Sequence, residues 1–201
     1  MNVSPIVFIL LLLIAYALPW VNAPTIAGFT NGAYDLAEWT SIVPSVRADS
    51  LLLTPLLLRI PLACIALYLV LSDTRRSTLW LRIVGLMLLV MALLPPLEYF
   101  TSASGDANYQ QLFLLALATL VLGAIAAFLT TALDTRTALR ISLAPLVVAA
   151  ISATMGLARA LPVMQSFNVN AQVGVGIGLF VLVSAVCALW TFRWHASHRM
   201  K

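Results

Sequence analysis

Six apolar runs, each close to the length that crosses a bilayer, follow one another along this chain, at roughly residues 3–20, 53–71, 79–97, 111–133, 140–162 and 172–192. A helix needs about 20 apolar residues to span the hydrocarbon core, where it satisfies its own backbone groups. A membrane barrel would show short alternating segments instead, whereas these runs are continuous. Composition agrees: 62% of residues are hydrophobic and 9% charged, against about 25% charged in an ordinary soluble domain. The predicted fold class is therefore all-α. It is a polytopic membrane helix bundle with six transmembrane helices in a single integral membrane domain, residues 1–201.

The charges thread the chain. Arg75, Arg76 and Arg82 follow the second run, Arg136 and Arg140 the fourth, and Arg193, Arg199 and Lys201 the sixth. All of these fall on one side. The other side carries Asp35, Glu38, Asp49, Glu98 and Asp106, with Arg47 its basic residue outside the runs. Positive charge marks the cytoplasmic side, so both termini are expected in the cytoplasm of a cell with a bacterial-type inner membrane. The net charge of +4 is thus a topology signal, and no nucleic acid partner is expected. The first run, FILLLLIAYAL followed by VNA, has the outline of a signal peptide, but MNVSP before it has no basic side chain. Retention as a helix is the expectation. The inner loops share Asp-Thr-Arg, at Asp73-Thr74-Arg75 and Asp134-Thr135-Arg136. Either the hairpins around them are related, or a tight turn selects the same caps.

Residues 21–52 form the long outer loop. Within it, GAYDLAEWTSIVP predicts a short helix with Asp35 as N-cap and Glu38 three residues on. Leu36, Trp39, Ile42 and Val43 then share a face, and Pro44 ends it. Trp20, Tyr34 and Trp39 suit the headgroup layer. The expected element is an interfacial helix, either a lid over an outward cavity or a plain connector.

Arg59 is the anomaly, a fixed positive charge inside LLLTPLLLRIPLACIALYLVL. Thr54-Pro55 makes a good helix start, which leaves Arg59 about 6–8 Å along the axis at 1.5 Å per residue. The side chain then either snorkels to headgroups or meets an anion, because a cation near a helix N-terminus faces the positive end of the dipole. Pro61 adds an irregularity of the kind that packs against protein or lines a cavity. Two other charges sit at a similar height, Glu98 after Pro95-Pro96 and Arg159 in MGLARALP. One reading pairs Arg59 with Glu98. The other makes an outward cavity in which Arg59 and Arg159 hold an anionic group, with Trp39 and Glu98 nearby.

Small residues recur at four-residue spacing: Gly174 and Gly178; Thr119, Gly123 and Ala127; Ser152, Gly156 and Ala160. Such stripes let helices approach closely, within a bundle or against a partner subunit. Cys64 and Cys187 lie inside apolar runs and read as packing residues. No span contains a histidine, and no HExxH, GxSxG or cysteine pair occurs. No enzyme activity, cofactor or metal is expected.

Two functions fit. The first is the substrate-binding or permease-type subunit of a small-solute transporter, binding through Arg59, Arg159, Glu98 and Trp39. Six helices in about 200 residues, with both ends inside and an outer lid, resemble the substrate-capturing components of energy-coupling-factor importers. The resemblance is one of architecture. It implies that Arg75, Arg76, Arg136 and Arg140 in the inner loops touch a coupling subunit; the four-residue spacing of Gly174 and Gly178 separately makes them candidate partner contacts. The second is a non-catalytic accessory subunit of a larger respiratory or photosynthetic membrane assembly. The partners expected are the lipid bilayer, other membrane subunits and a small-molecule or anionic ligand.

Overall fold

The computed structural model describes residues 5–24, 30–49, 51–73 and 76–197, the side chains of residues 76, 135, 136 and 193–197 excepted. Along them come α1 (Pro5–Ala17), β1 (Val21–Asn22), β2 (Thr30–Asn31), α2 (Ala33–Ser41), α3 (Pro44–Arg47), α4 (Leu53–Leu71), α5 (Leu79–Leu93), α6 (Ala107–Ala132), α7 (Thr135–Ser166), β3 (Gln172–Val173) and α8 (Val175–Ser197). The fold is all-α apart from the three short strands. By length and composition α4, α6, α7 and α8 can each cross a membrane, while α1 and α5 are apolar but shorter.

The other helices assemble around α4. It packs against α1, α2, α5, α6 and α7. Its sequence explains why: Leu, Ile and small Ala63, Cys64 and Ala66 leave it apolar on every side, and a helix apolar all round is a buried one. Small residues set the close approaches. A Cβ at Gly156 of α7 would lie 3.0 Å from Leu58 of α4, and one at Gly123 of α6 would lie 2.6 Å from Leu86 of α5. Thr119, Ser152 and Ala160 are buried beside them. These stripes hold the bundle itself together.

Helix ends follow local chemistry. α5 stops at Leu93 rather than at residue 97, because Leu94 precedes Pro95-Pro96 and is extended, with ψ 142°. The Asp106 carboxylate accepts hydrogen bonds from the Asn108 and Tyr109 N–H groups at 2.9 and 3.2 Å and caps α6. α7 closes in a left-handed turn at Asn168, φ 56°. There Asn168 N–H donates to Gln165 O at 2.9 Å and Val169 N–H to Met164 O at 3.2 Å, the Schellman pattern.

Two expectations for the loop helix are corrected. Gly32, not Asp35, is the N-cap of α2, because the chain passes close to α1 there: a Cβ at Gly32 would sit 2.8 Å from Ala17 O. Nor does Ile42 share the packed face with Leu36. Ala33, Leu36, Ala37 and Thr40 are fully buried, while Ile42 faces out. Pro44 begins α3 after α2 has ended.

β1 lies between β2 and β3, antiparallel to both. This small sheet ties the end of α1 to the start of α8. Trp20, fully buried, packs there on Tyr16 and Phe180 at 5.9 and 5.6 Å between ring centres. At the far end of the same two helices Phe8 meets Trp190 at 5.4 Å. The starts of α4, α6 and α8 and the ends of α1 and α7 therefore gather at the sheet end. At the opposite end Arg82, 4% exposed, donates to Val70 O at 2.9 Å, to Asp73 O and to Thr130 Oγ1 at 3.3 Å. It closes the C-terminus of α4, where a cation complements the helix dipole. Cys64 and Cys187 are free and buried.

Candidate functional site

The sheet end holds two polar groups, one on each side of the start of α4. Residue 52 sets the entry. Leu52 is left-handed, φ 43°, a conformation that costs a non-glycine residue about 1–3 kcal/mol. Gln111 Nε2 steadies it by donating to Leu51 O at 2.6 Å and Leu52 O at 3.2 Å.

Arg59 is fully buried and does not reach for headgroups. Its guanidinium turns to α2 and α6. Nη2 donates to Glu38 Oε1 at 2.6 Å, and Nη1 to Asn108 Oδ1 at 2.7 Å and Gln111 Oε1 at 3.3 Å. Asn108 and Gln111 are three apart on α6 and so share a face. The partner is Glu38 and not Glu98, which stands exposed in the turn Leu97–Phe100. Tyr34, one turn before Glu38, hydrogen-bonds its carboxylate; burial first, and then the Glu38 charge, push the Tyr34 hydroxyl above its ordinary range. Tyr16 closes the floor by donating to Leu58 O at 3.0 Å. This arrangement positions α2 against the bundle and leaves the Arg59 guanidinium no face towards solvent.

Arg159 lies on the other side. Five residues separate Thr54 from Arg59, about 140° around a helix of 3.6 residues per turn, so Thr54 faces α7 while Arg59 faces α6. Arg159 Nε donates to Thr54 Oγ1 at 3.4 Å, and Nη2 lies 3.5 Å from Asp49 Oδ2. Together with Val46, Pro162 and Val163 these residues line a cavity of about 420 Å³. Trp39 stands behind its wall, packed with Val46 and Val163 and edge-on to Phe167 at 5.8 Å. The expected joint grip of Arg59 and Arg159 on one anion is thus not made, because α4 stands between them.

Beside the cavity, Arg47 joins α3 to α6. Its Nη2 donates to Asp106 Oδ2 at 2.8 Å and its Nε to Ser41 O at 2.8 Å. Burial acts to raise the Asp106 carboxyl, but Arg47 and the two backbone N–H groups outweigh it and hold the group below its ordinary range.

The expected partner contacts divide. Arg75 lies outside the described residues, as do the side chains of Arg76 and Arg136, while Arg140 is exposed. Gly174 is buried within the chain: its N–H donates to Trp20 O at 2.7 Å, and a Cβ there would strike Pro19 O. Gly176 approaches the same turn, so the close-packing pair is Gly174 and Gly176. Gly178 faces open space, with nothing within 4 Å of a Cβ placed there. Glu38, Asn108 and Gln111 were absent from the expected site. The signal for the last two was a polar stretch, NYQQ, at the height of Arg59 on an apolar helix. Among the described residues no cluster of three or more His, Cys, Asp or Glu could hold a metal ion.

Compared with known proteins, the chain matches no family model, no curated protein and no solved structure.

Proposed function

We propose that this chain is the substrate-binding subunit of a small-solute transporter. All six apolar helices cross a bacterial-type inner membrane in this reading, with both termini in the cytoplasm and the sheet end outside. One observation carries it: a charged cavity of about 420 Å³ opens at the sheet end, above a filled middle. Beneath it Leu58, Leu62, Ile65, Tyr68, Leu93 and Phe180 are buried, and Cys187 Sγ–H donates to Tyr68 Oη at 2.8 Å. Small-molecule sites commonly enclose about 300–1,000 Å³, so the cavity suits a solute. A filled core offers that solute no path across, so such a site captures and passes on only with a second membrane subunit. Orientation follows from the basic side.

The competing reading is a non-catalytic accessory subunit of a respiratory or photosynthetic assembly, and the filled core also favours it. Gentle purification from the native membrane, with mass spectrometry of the co-purifying chains, separates the two. An ATP-hydrolysing chain and a second polytopic chain are expected. Redox or pigment-binding subunits in stoichiometric amount would overturn the transport reading.

A further inference from the structure

We infer that the cavity beside α4 takes a small zwitterion with an aliphatic body, its anionic group on Arg159 and Thr54 and its cationic group on Asp49. The inference rests on the capture reading and names the class of solute.

The charges lining the cavity cancel, one guanidinium against one carboxylate. A simple anion meeting Arg159 would also meet the Asp49 carboxylate, whose oxygen lies 3.5 Å from Nη2. A simple cation on Asp49 would meet Arg159 at the same distance. A solute carrying both signs a few ångströms apart satisfies both groups and displaces their pairing with each other.

That pairing is easily exchanged. It is a single contact, and its side chains are 47% and 35% exposed; such a pair is worth about 0–1 kcal/mol. The Arg59–Glu38 pair a few residues away differs, with a 2.6 Å contact and a fully buried arginine. Thr54, 3% exposed, adds a hydroxyl fixed on α4 in the floor of the site. Val46, Pro162 and Val163 supply the apolar wall, which a charged head alone would leave uncovered. Two sources carry this chemistry, a free amphiphilic zwitterion such as an aliphatic amino acid and the headgroup of a zwitterionic aminophospholipid.

The test uses the full chain, purified in detergent and stripped of lipid. Binding is read by thermal shift and calorimetry with leucine, with leucinamide as the cation and with 4-methylpentanoate as the anion. Leucine is expected to bind at least about tenfold more tightly than either, a difference of about 1.4 kcal/mol. Arg159→Gln and Asp49→Asn should each remove that preference while the ligand-free melting temperature stays near that of the parent chain. Equal binding of leucine and 4-methylpentanoate would overturn the zwitterion and leave the capture reading standing. No solute binding, with added phosphatidylethanolamine bound in native mass spectrometry by the parent chain and not by Arg159→Gln, would keep the zwitterion site and overturn capture. Neither solute nor lipid binding would overturn both.

Discussion

At Arg59 a guanidinium with no exposure rests on three side-chain acceptors, two of them neutral amides, so the loss of the Glu38 carboxylate leaves the charge without its counterion. Removing one partner of a buried pair costs about 3–5 kcal/mol. The Glu38 side chain is 39% exposed, so water shares its role and Glu38→Ala should cost about 2–3 kcal/mol. Arg59→Met in the Glu38→Ala background should restore much of that loss, since the stranded charge goes with it. Melting curves of the two single variants and the double variant check this, and simple additivity would contradict the arrangement. Asp106 gives the pH-dependent counterpart. A carboxyl held below its ordinary range contributes stability above its unfolded pKa, near 3.9, and loses it as pH falls through the lower folded value. Asp106→Ala should therefore cost about 1 kcal/mol at neutral pH, mostly as a lost helix cap, and little in acid below that range; melting temperatures across the acid range read the difference. The charge at Arg59 was legible in the sequence as an anomaly, but its partner was not. Glu38 in the outer loop and Glu98 at the end of an apolar run both lie on the acidic side, and only the packing of α2 onto α4 chooses between them.

Helix ends are set locally at Pro95-Pro96 and Asp106, yet the apolar runs, read as 79–97 and 111–133, overran the first by four residues and began four late at the second. Hydropathy does not register where a proline or a cap ends the backbone ladder. The start of α2 was not legible either, because Gly32 is chosen by the neighbouring Ala17 O and not by its own sequence neighbours. The same distinction separates the glycines of α8. Gly174 and Gly178 look equivalent as a four-residue repeat, yet one abuts the Pro19 carbonyl and the other nothing. Gly174→Ala should displace the turn at Pro19 and cost about 1–3 kcal/mol, in the range of overpacking. Gly178→Ala should be neutral or slightly stabilising, because Ala is the better helix former by about 1 kcal/mol. Thermal unfolding of the two variants in one detergent is the measurement. The reverse order would mean that the close approach of α8 to the end of α1 is misplaced.

Seen whole, the molecule has a polar network at each end and hydrocarbon between. The length and spacing of the apolar runs made the helical class legible, whereas the partition of the two arginines to opposite sides of α4 depends on tertiary packing. The proposed orientation predicts a labelling pattern. Both native cysteines are buried, so a single introduced thiol reports alone. Ser104→Cys, exposed in the loop before α6, should react with an impermeant maleimide on intact cells. Arg140→Cys, exposed at the opposite end, should react only after the cells are opened. The reverse pattern would invert the topology. The small sheet has a consequence in time. Its strands pair Asn22 with Gln172, so the first helix completes its packing only with the last. At about 5–20 residues per second of synthesis, the intervening stretch takes roughly 8–30 s to appear. For that interval Tyr16 and Trp20 stand without Phe180, and α1 waits for the segment that will cover it.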